Sequence, residues 1–389
     1  MIALSMVAFV LASCDNGSIA TPTAVSEQNG TPGNSNATVM VEPGGGDVGN
    51  AKPTPTLDVI SSWTQLPTVN PSTTITKTKV TIALGFTPDV QFTPFYVALN
   101  KGYYAEEGLD VTFKHGVVPD LIRLLGAGEQ GINFAVASGD EIIPARLSGL
   151  PVLYAMTWYR QYPVAAISVK GKGPELKSPA DLKGHTVGVP GLFGSTYTGL
   201  LALLNAGGLS LNDIKVKTIG FTQIESLTKG QVDVAMVYSA NEPVQLRSQG
   251  TDVNMLNVAD YARLASNGLV TNIETFKSNR PLIARLIRAT QRGIKYTEEN
   301  PQAAFDEALK EVPEAGGANK DKQLQVLEET IKLMKPREDD AQGLSHPIGW
   351  TDVQTWADTQ DFLFDAKIIS QKGKIGEMFT NQFVPIANK

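Results

Sequence analysis

From residue 79 onward, apolar and polar positions alternate between two rhythms. "KVTIALGF" is a short apolar run and predicts a strand. Thr93 then reads as a helix cap with Pro94 at the first helical position, and "PFYVALNKGYYAEEG" carries apolar residues at helical spacing to a glycine stop. "LDVTFKHG" predicts the next strand, "PDLIRLLGAGEQ" a helix, "INFAVA" a strand, "DEIIPARLSG" a helix despite its proline, and "PVLYAMTW" a strand. Strands alternating with helices predict parallel sheets, whose ligands sit beyond the carboxyl ends of the strands. Further on, "HTVGVP" predicts a strand and "STYTGLLALLNAG" a helix opening at Ser195 behind "GLFG". Glycines before a helix start let a ligand approach its free N–H groups. The last third is helical. "RPLIARLIRATQRGIKYTEENPQAAFDEALK" and "DKQLQVLEETIKLMK" are amphipathic, and "SHPIGWTDVQTWADTQDFLFDAKII" offers Asp352 as a cap and Trp350 and Trp356 as cover for a first lobe.

The chain also matches itself. "GINFAVASGDEIIPARLSGLPV", from Gly131, aligns with "QVDVAMVYSANEPVQLRSQGTDV", from Gln231, with one residue inserted in the second copy. Asp140-Glu141 then stands opposite Asn241-Glu242, so two lobes of related topology would present the same kind of loop to one cleft.

The first residues follow neither rhythm. "MIALSMVAFVLAS" is too short to span a membrane and fits an export signal, and "LASC" ends on Cys14, the only cysteine of 389 residues. That quartet resembles a bacterial lipobox, which implies that Cys14 is lipidated and anchors the chain to a membrane; no Lys or Arg precedes it. Residues 15–78 are rich in Thr, Pro, Gly, Ser and Asn and read as a disordered tether, whose reach over about 64 residues is roughly 40–50 Å. The remainder exceeds what one core usually holds, so a first lobe is expected over 79–163 and 268–389 and a second over 164–267. The net charge of −6 gives no reason to expect nucleic acid, and no second apolar run approaches 18 residues.

Three stretches, "ALGFTPDVQFTPFYVALNKGYYAEEGLDV", "SPADLKGHTVGVPG" and "GQVDVAMVYSANEP", resemble in this order the substrate-binding proteins of ABC importers, in their SsuA/THI5-like (NMT1/THI5) branch. The resemblance implies an α/β protein with a bilobed periplasmic-binding-protein type II fold, two parallel-sheet lobes joined by a hinge. Crossings are expected near Tyr162–Ala165 and Gly268–Thr271. It further implies a monomer, held outside the cytoplasm by its lipid, that hands a small molecule to an ABC permease and needs no cofactor. One branch of the family makes the thiamine pyrimidine, using a cysteine-rich iron site and a sacrificial histidine. Here Cys14 stands alone and His115, His185 and His346 fall in unrelated segments, so no metal or nucleophile constellation forms and an enzyme is not expected.

Candidate ligand contacts cluster where strands end. Phe92 and Tyr96 flank the first loop, Trp158, Tyr159 and Tyr162 lie where the first lobe runs into the hinge, and Phe193 and Tyr238 belong to second-lobe loops. Such rings suit a flat aromatic ligand. Phe86, Phe95 and Phe134 are expected in the core, and Trp158 and Tyr159 could not face one side if the strand ran through both. Ser138, Asp140, Ser195, Asn241 and Glu242 would supply polar specificity. Acids and amides in these loops, with Arg160 the only base nearby, disfavour a sulfonate. Riboflavin and a thiamine pyrimidine precursor of the hydroxymethylpyrimidine type both fit, with a small sulfonate or amine nutrient as the alternative. The number of rings, with Ser195, Thr196 and Ser239 available for hydroxyls, favours riboflavin slightly.

Overall fold

The computed structural model describes residues 77–337, 340 and 344–384. The signal, Cys14 and all of the tether but its last two residues lie outside them.

Among the described residues, ten strands form two five-stranded sheets. In the first, the order is β2 (Leu109–Gly116), β1 (Thr78–Gly85), β3 (Ile132–Ser138), β10 (Asn267–Asn272) and β4 (Val152–Thr157). In the second, it is β7 (Lys215–Thr218), β6 (Thr186–Val189), β8 (Val234–Tyr238), β5 (Val164–Val169) and β9 (Val253–Asn257). Two lobes therefore form as expected, but their sheets are mixed rather than parallel. β10 runs antiparallel to β3 and β4, and β5 runs antiparallel to β8 and β9. The reason lies in the crossings. β5 and β10 are the first strands after the chain passes between sheets, and each enters its sheet against the direction of its neighbours.

The crossings run over 158–163 and 258–266. The second precedes the expected position, because Gly268–Thr271 is the middle of β10. The glycine there answers to packing, since a side chain at Gly268 would run into the Tyr154 hydroxyl and the Met156 carbonyl.

β4, β5 and β10 are buried along their whole length, which suits the near-continuous apolar sequences of β4 and β5, whereas the polar residues of β10 are hydrogen-bonded: Asn267 Nδ2 donates to the Tyr238 hydroxyl, Thr271 Oγ1 to the Asn133 carbonyl and Asn272 Nδ2 to the Leu125 carbonyl. The helix Arg280–Glu299 lays Leu282, Ile283, Leu286, Ile287 and Ile294 on the first lobe's core, each such side chain contributing about 1.5–3 kcal/mol. Asp352 caps the helix Val353–Asp365 as predicted, its Oδ2 accepting from Thr355 N at 2.9 Å. Trp356 from that helix is fully buried against Tyr154 and Phe379 in a second core cluster of the first lobe. The first helix begins otherwise than predicted. Asp89 caps a short turn over Val90–Phe92 that leads into the helix Thr93–Asn100, which places Thr93 inside the helix. No helix among the described residues is long and apolar enough to cross a membrane.

Candidate functional site

The carboxyl ends of β1, β3, β6 and β8 open on one cleft between the lobes, with about 940 Å³ of space between its walls counting the part continuous with solvent.

Aromatic side chains make up much of the wall. β4 stops at Thr157, and the amides of Trp158 and Tyr159 both donate to the Asn267 carbonyl at 2.9 Å. The backbone curls there, so both rings reach the cleft, which an extended strand would have prevented. Trp158 stacks on Phe92 with centroids 5.7 Å apart, lies 4.0 Å from Tyr159, and receives the edge of Phe95 at 5.1 Å. Its indole N–H donates to the Met334 sulfur at 3.2 Å, and only 2% of its surface is exposed. Trp158 is thus core and wall together. At the mouth, Phe193 and Phe221 from the second lobe are 49% and 54% exposed. Phe86 meets Phe221 edge-on at 5.0 Å. Phe86 is therefore not the core residue expected. It follows the last residue of β1 with φ at 65°, a left-handed turn rare for a bulky residue, and that turn takes its ring out of the sheet. Phe95 and Phe134 are buried as expected.

The polar groups of the wall are acids and amides. Glu141 Oε2 accepts from Ser138 N at 3.2 Å, and Glu242 Oε2 accepts from Tyr238 N at 3.1 Å, so the two copies of the internal repeat fold their glutamates back onto the strand end in the same way. The extra residue in the second copy lengthens the reach from three positions to four. Burial pushes both carboxyls up to about 7, with the Asp140 charge adding to the rise at Glu141. Gln91 and Asn267 bring amides to the wall, and Asn267 Nδ2 donates to the Tyr238 hydroxyl at 3.3 Å. No lysine or arginine stands among the described residues of the wall.

Eight of the predicted residues meet at this cleft: Phe92, Trp158, Tyr159, Phe193, Ser195, Tyr238, Asn241 and Glu242. Ser138, Asp140 and Tyr162 lie behind the wall and tie the lobes together. Ser138 Oγ is 2.7 Å from Ser195 Oγ, Ser195 Oγ donates to Asp140 Oδ1 at 3.3 Å, and the Tyr162 hydroxyl donates to the Ser195 carbonyl at 2.9 Å. Burial holds the Asp140 carboxyl above the usual range, and its hydroxyl partners offset that only in part. Tyr96 packs in the first lobe, edge-on to Phe113 at 5.5 Å, and Ser239 is not on the wall. Sequence reasoning named Thr196 for hydroxyls and it is on the wall, but it passed over Gln91, Glu141, Phe221 and Asn267 as wall residues. Glu141 had a signal, because the internal repeat aligns it with Glu242.

The family described as NMT1/THI5 like matches residues 89–304. The riboflavin-binding protein RibY of Chloroflexus aurantiacus is 40% identical over 334 residues, covering 86% of this chain and 93% of its own. The formylaminopyrimidine-binding protein of Halalkalibacterium halodurans is 29% identical over 73% of this chain and 86% of its own. Among solved structures, the alkanesulfonate-binding protein SsuA from Xanthomonas axonopodis pv. citri, bound to MOPS, superposes with a TM-score of 0.58 at 15% identity, covering 78% of this chain and 98% of that one.

Proposed function

The chain belongs to the NMT1/THI5-like family, and from that membership we propose that it is the solute-binding protein of an ABC importer, capturing riboflavin between its lobes and delivering it to a permease. In this reading Cys14 carries a lipid that holds the protein on the outer face of the cell membrane, and the chain binds its cargo without transforming it.

The observation that carries the reading is the wall itself: fused aromatic surface from both lobes, with carboxyl and amide acceptors and no cationic side chain. A flat heterocycle stacks on such rings with little ordering cost. An aliphatic sulfonate would face Glu141 and Glu242 with no counter-charge on the wall, which weighs against that alternative. RibY's name adds a relative that binds riboflavin.

Ligand that touches both walls prefers the closed arrangement, and that preference supplies the energy of closure. A pyrimidine precursor remains the second reading, favoured by the formylaminopyrimidine-binding relative and by the two glutamates, which suit an exocyclic amine. Thermal shifts with riboflavin, hydroxymethylpyrimidine, thiamine and taurine separate the readings, since a ligand at a hundredfold excess over its Kd stabilises the fold by about 2.7 kcal/mol. Riboflavin alone is expected to raise Tm strongly. A shift with hydroxymethylpyrimidine and none with riboflavin transfers the assignment to the pyrimidine.

A further inference from the structure

We propose that Gln91 reads a hydrogen-bond donor on the ligand, and that Asp89 and Asn241 couple this reading to closure of the lobes. The inference rests on the flavin reading above and adds the residue that would set specificity.

Gln91 is 6% exposed, lines the cleft, and has a buried amide oxygen without a hydrogen-bond partner. Its orientation is fixed by its neighbours. Asp89 Oδ1 accepts from the Gln91 backbone N at 2.9 Å and from Gln91 Nε2 at 3.1 Å. A carboxylate can only accept, so the amide nitrogen must face Asp89, which leaves Oε1 as the free group. A buried acceptor left unpaired is costly, and a ligand N–H or O–H removes that cost.

The same carboxyl reaches the other lobe. Asp89 Oδ2 accepts from Asn241 Nδ2 at 3.3 Å, and the Asn241 side-chain oxygen accepts from Gln245 Nε2, which directs the Asn241 nitrogen at Asp89. Asp89 thereby orients the amides of both Gln91 and Asn241, and Asn241 in turn accepts from Gln245. A donor that holds Gln91 in place also holds Asp89 where Asn241 meets it, and this bond forms only with the lobes together. Asn267 Oδ1 is a second unpartnered buried acceptor on the wall, and the carboxyls of Glu141 and Glu242 accept as well when ionised. The cleft therefore selects ligands rich in donors. On riboflavin these are the ring imide N–H and the hydroxyls of the ribityl tail.

The test measures the affinity of the full chain for riboflavin, for N3-methylriboflavin, which lacks the ring donor, and for lumiflavin, which lacks the tail. Fluorescence quenching serves all three. Wild type is expected to bind at least one analogue about tenfold or more weakly than riboflavin, which identifies the donor that Gln91 takes. Gln91→Leu, or Gln91→Met where that variant fails to fold, is expected to weaken riboflavin by about tenfold and to close the gap to that analogue. Asp89→Asn preserves shape but frees the Gln91 amide to turn, so it should narrow the same gap, an effect that a merely structural role would not produce. Riboflavin bound equally by wild type and Gln91→Leu, or both analogues bound as well as riboflavin, overturns the inference while leaving the functional reading intact. Wild type that binds none of the flavins overturns the functional reading and this inference with it.

Discussion

The hydroxyls of Ser138 and Ser195 meet at 2.7 Å, one at the end of β3 in the first lobe and the other in the first turn of a helix of the second, Gly194–Ala206. Asp140 accepts from Ser195 there, and its second oxygen is buried without a partner. Removing the Ser195 hydroxyl leaves that carboxyl still poorer. Ser195→Ala is expected to cost the closed arrangement roughly 1–3 kcal/mol. Small-angle scattering on the ligand-free variant should report a larger radius of gyration than wild type; identical profiles would remove Ser195 as a clasp.

Glu141 and Glu242, both raised to about 7, make stability depend on pH. A carboxyl whose pKa is higher folded than unfolded binds more protons in the folded state between the two values. Its stabilising contribution is complete below about 4.5 and is lost as pH rises through about 7. Stability, and Tm with it, should therefore fall between pH 5 and pH 8, the free energy by an amount on the order of 1 kcal/mol per carboxyl, since both groups keep part of their surface open to the cleft. Glu141→Gln and Glu242→Gln should each flatten the curve. A curve that rises over this range, or that neither variant alters, contradicts the assignment.

The aromatics divide into three groups by packing. Phe193→Ala and Phe221→Ala remove exposed rings at the mouth and should weaken flavin binding by roughly 1–3 kcal/mol, by analogy with base stacking, with little change in Tm. Phe95→Ala empties a fully buried site and should cost about 3–5 kcal/mol of stability. Trp158→Ala should do both, because its ring is packed on Phe92, Phe95 and Tyr159 and also forms wall. Calorimetry alongside binding assays distinguishes the groups. Loss of stability without loss of affinity in Trp158→Ala would place that ring in the core alone.

Much of this architecture was legible in the residues, for physical reasons that differ from place to place. The apolar runs of β3 and β8 and the glutamates behind them were visible because a strand end that hands over to a helix demands a polar group to meet the free backbone amide. The directions of β5 and β10 were not visible. A buried apolar run is equally compatible with parallel and antiparallel neighbours, and only the crossing of the chain between sheets decides. Gln91 gave no signal, because its role comes from Asp89 and from a cleft whose other wall lies over a hundred positions along the chain. Phe86 misled because its side chain type says core, whereas its left-handed backbone says otherwise.

Cys14 lies outside the described residues, and its lipidation remains a proposal from the "LASC" quartet. Cys14→Ser is expected to move the full-length protein from the membrane fraction to the soluble one with unchanged ligand affinity, since among the described residues the wall begins at Gly85. Finding the variant still in membranes by fractionation would dismiss the anchor.

Equilibrium titration of purified protein with riboflavin, followed by the quenching of flavin fluorescence, decides whether a donor-rich flat heterocycle is held between the two lobes. Saturable binding at one flavin per chain is expected, undisturbed by excess taurine and weakened in both Glu242→Ala and Phe193→Ala, one polar and one aromatic wall residue. Absence of saturable quenching, or displacement of the flavin by taurine, would contradict it.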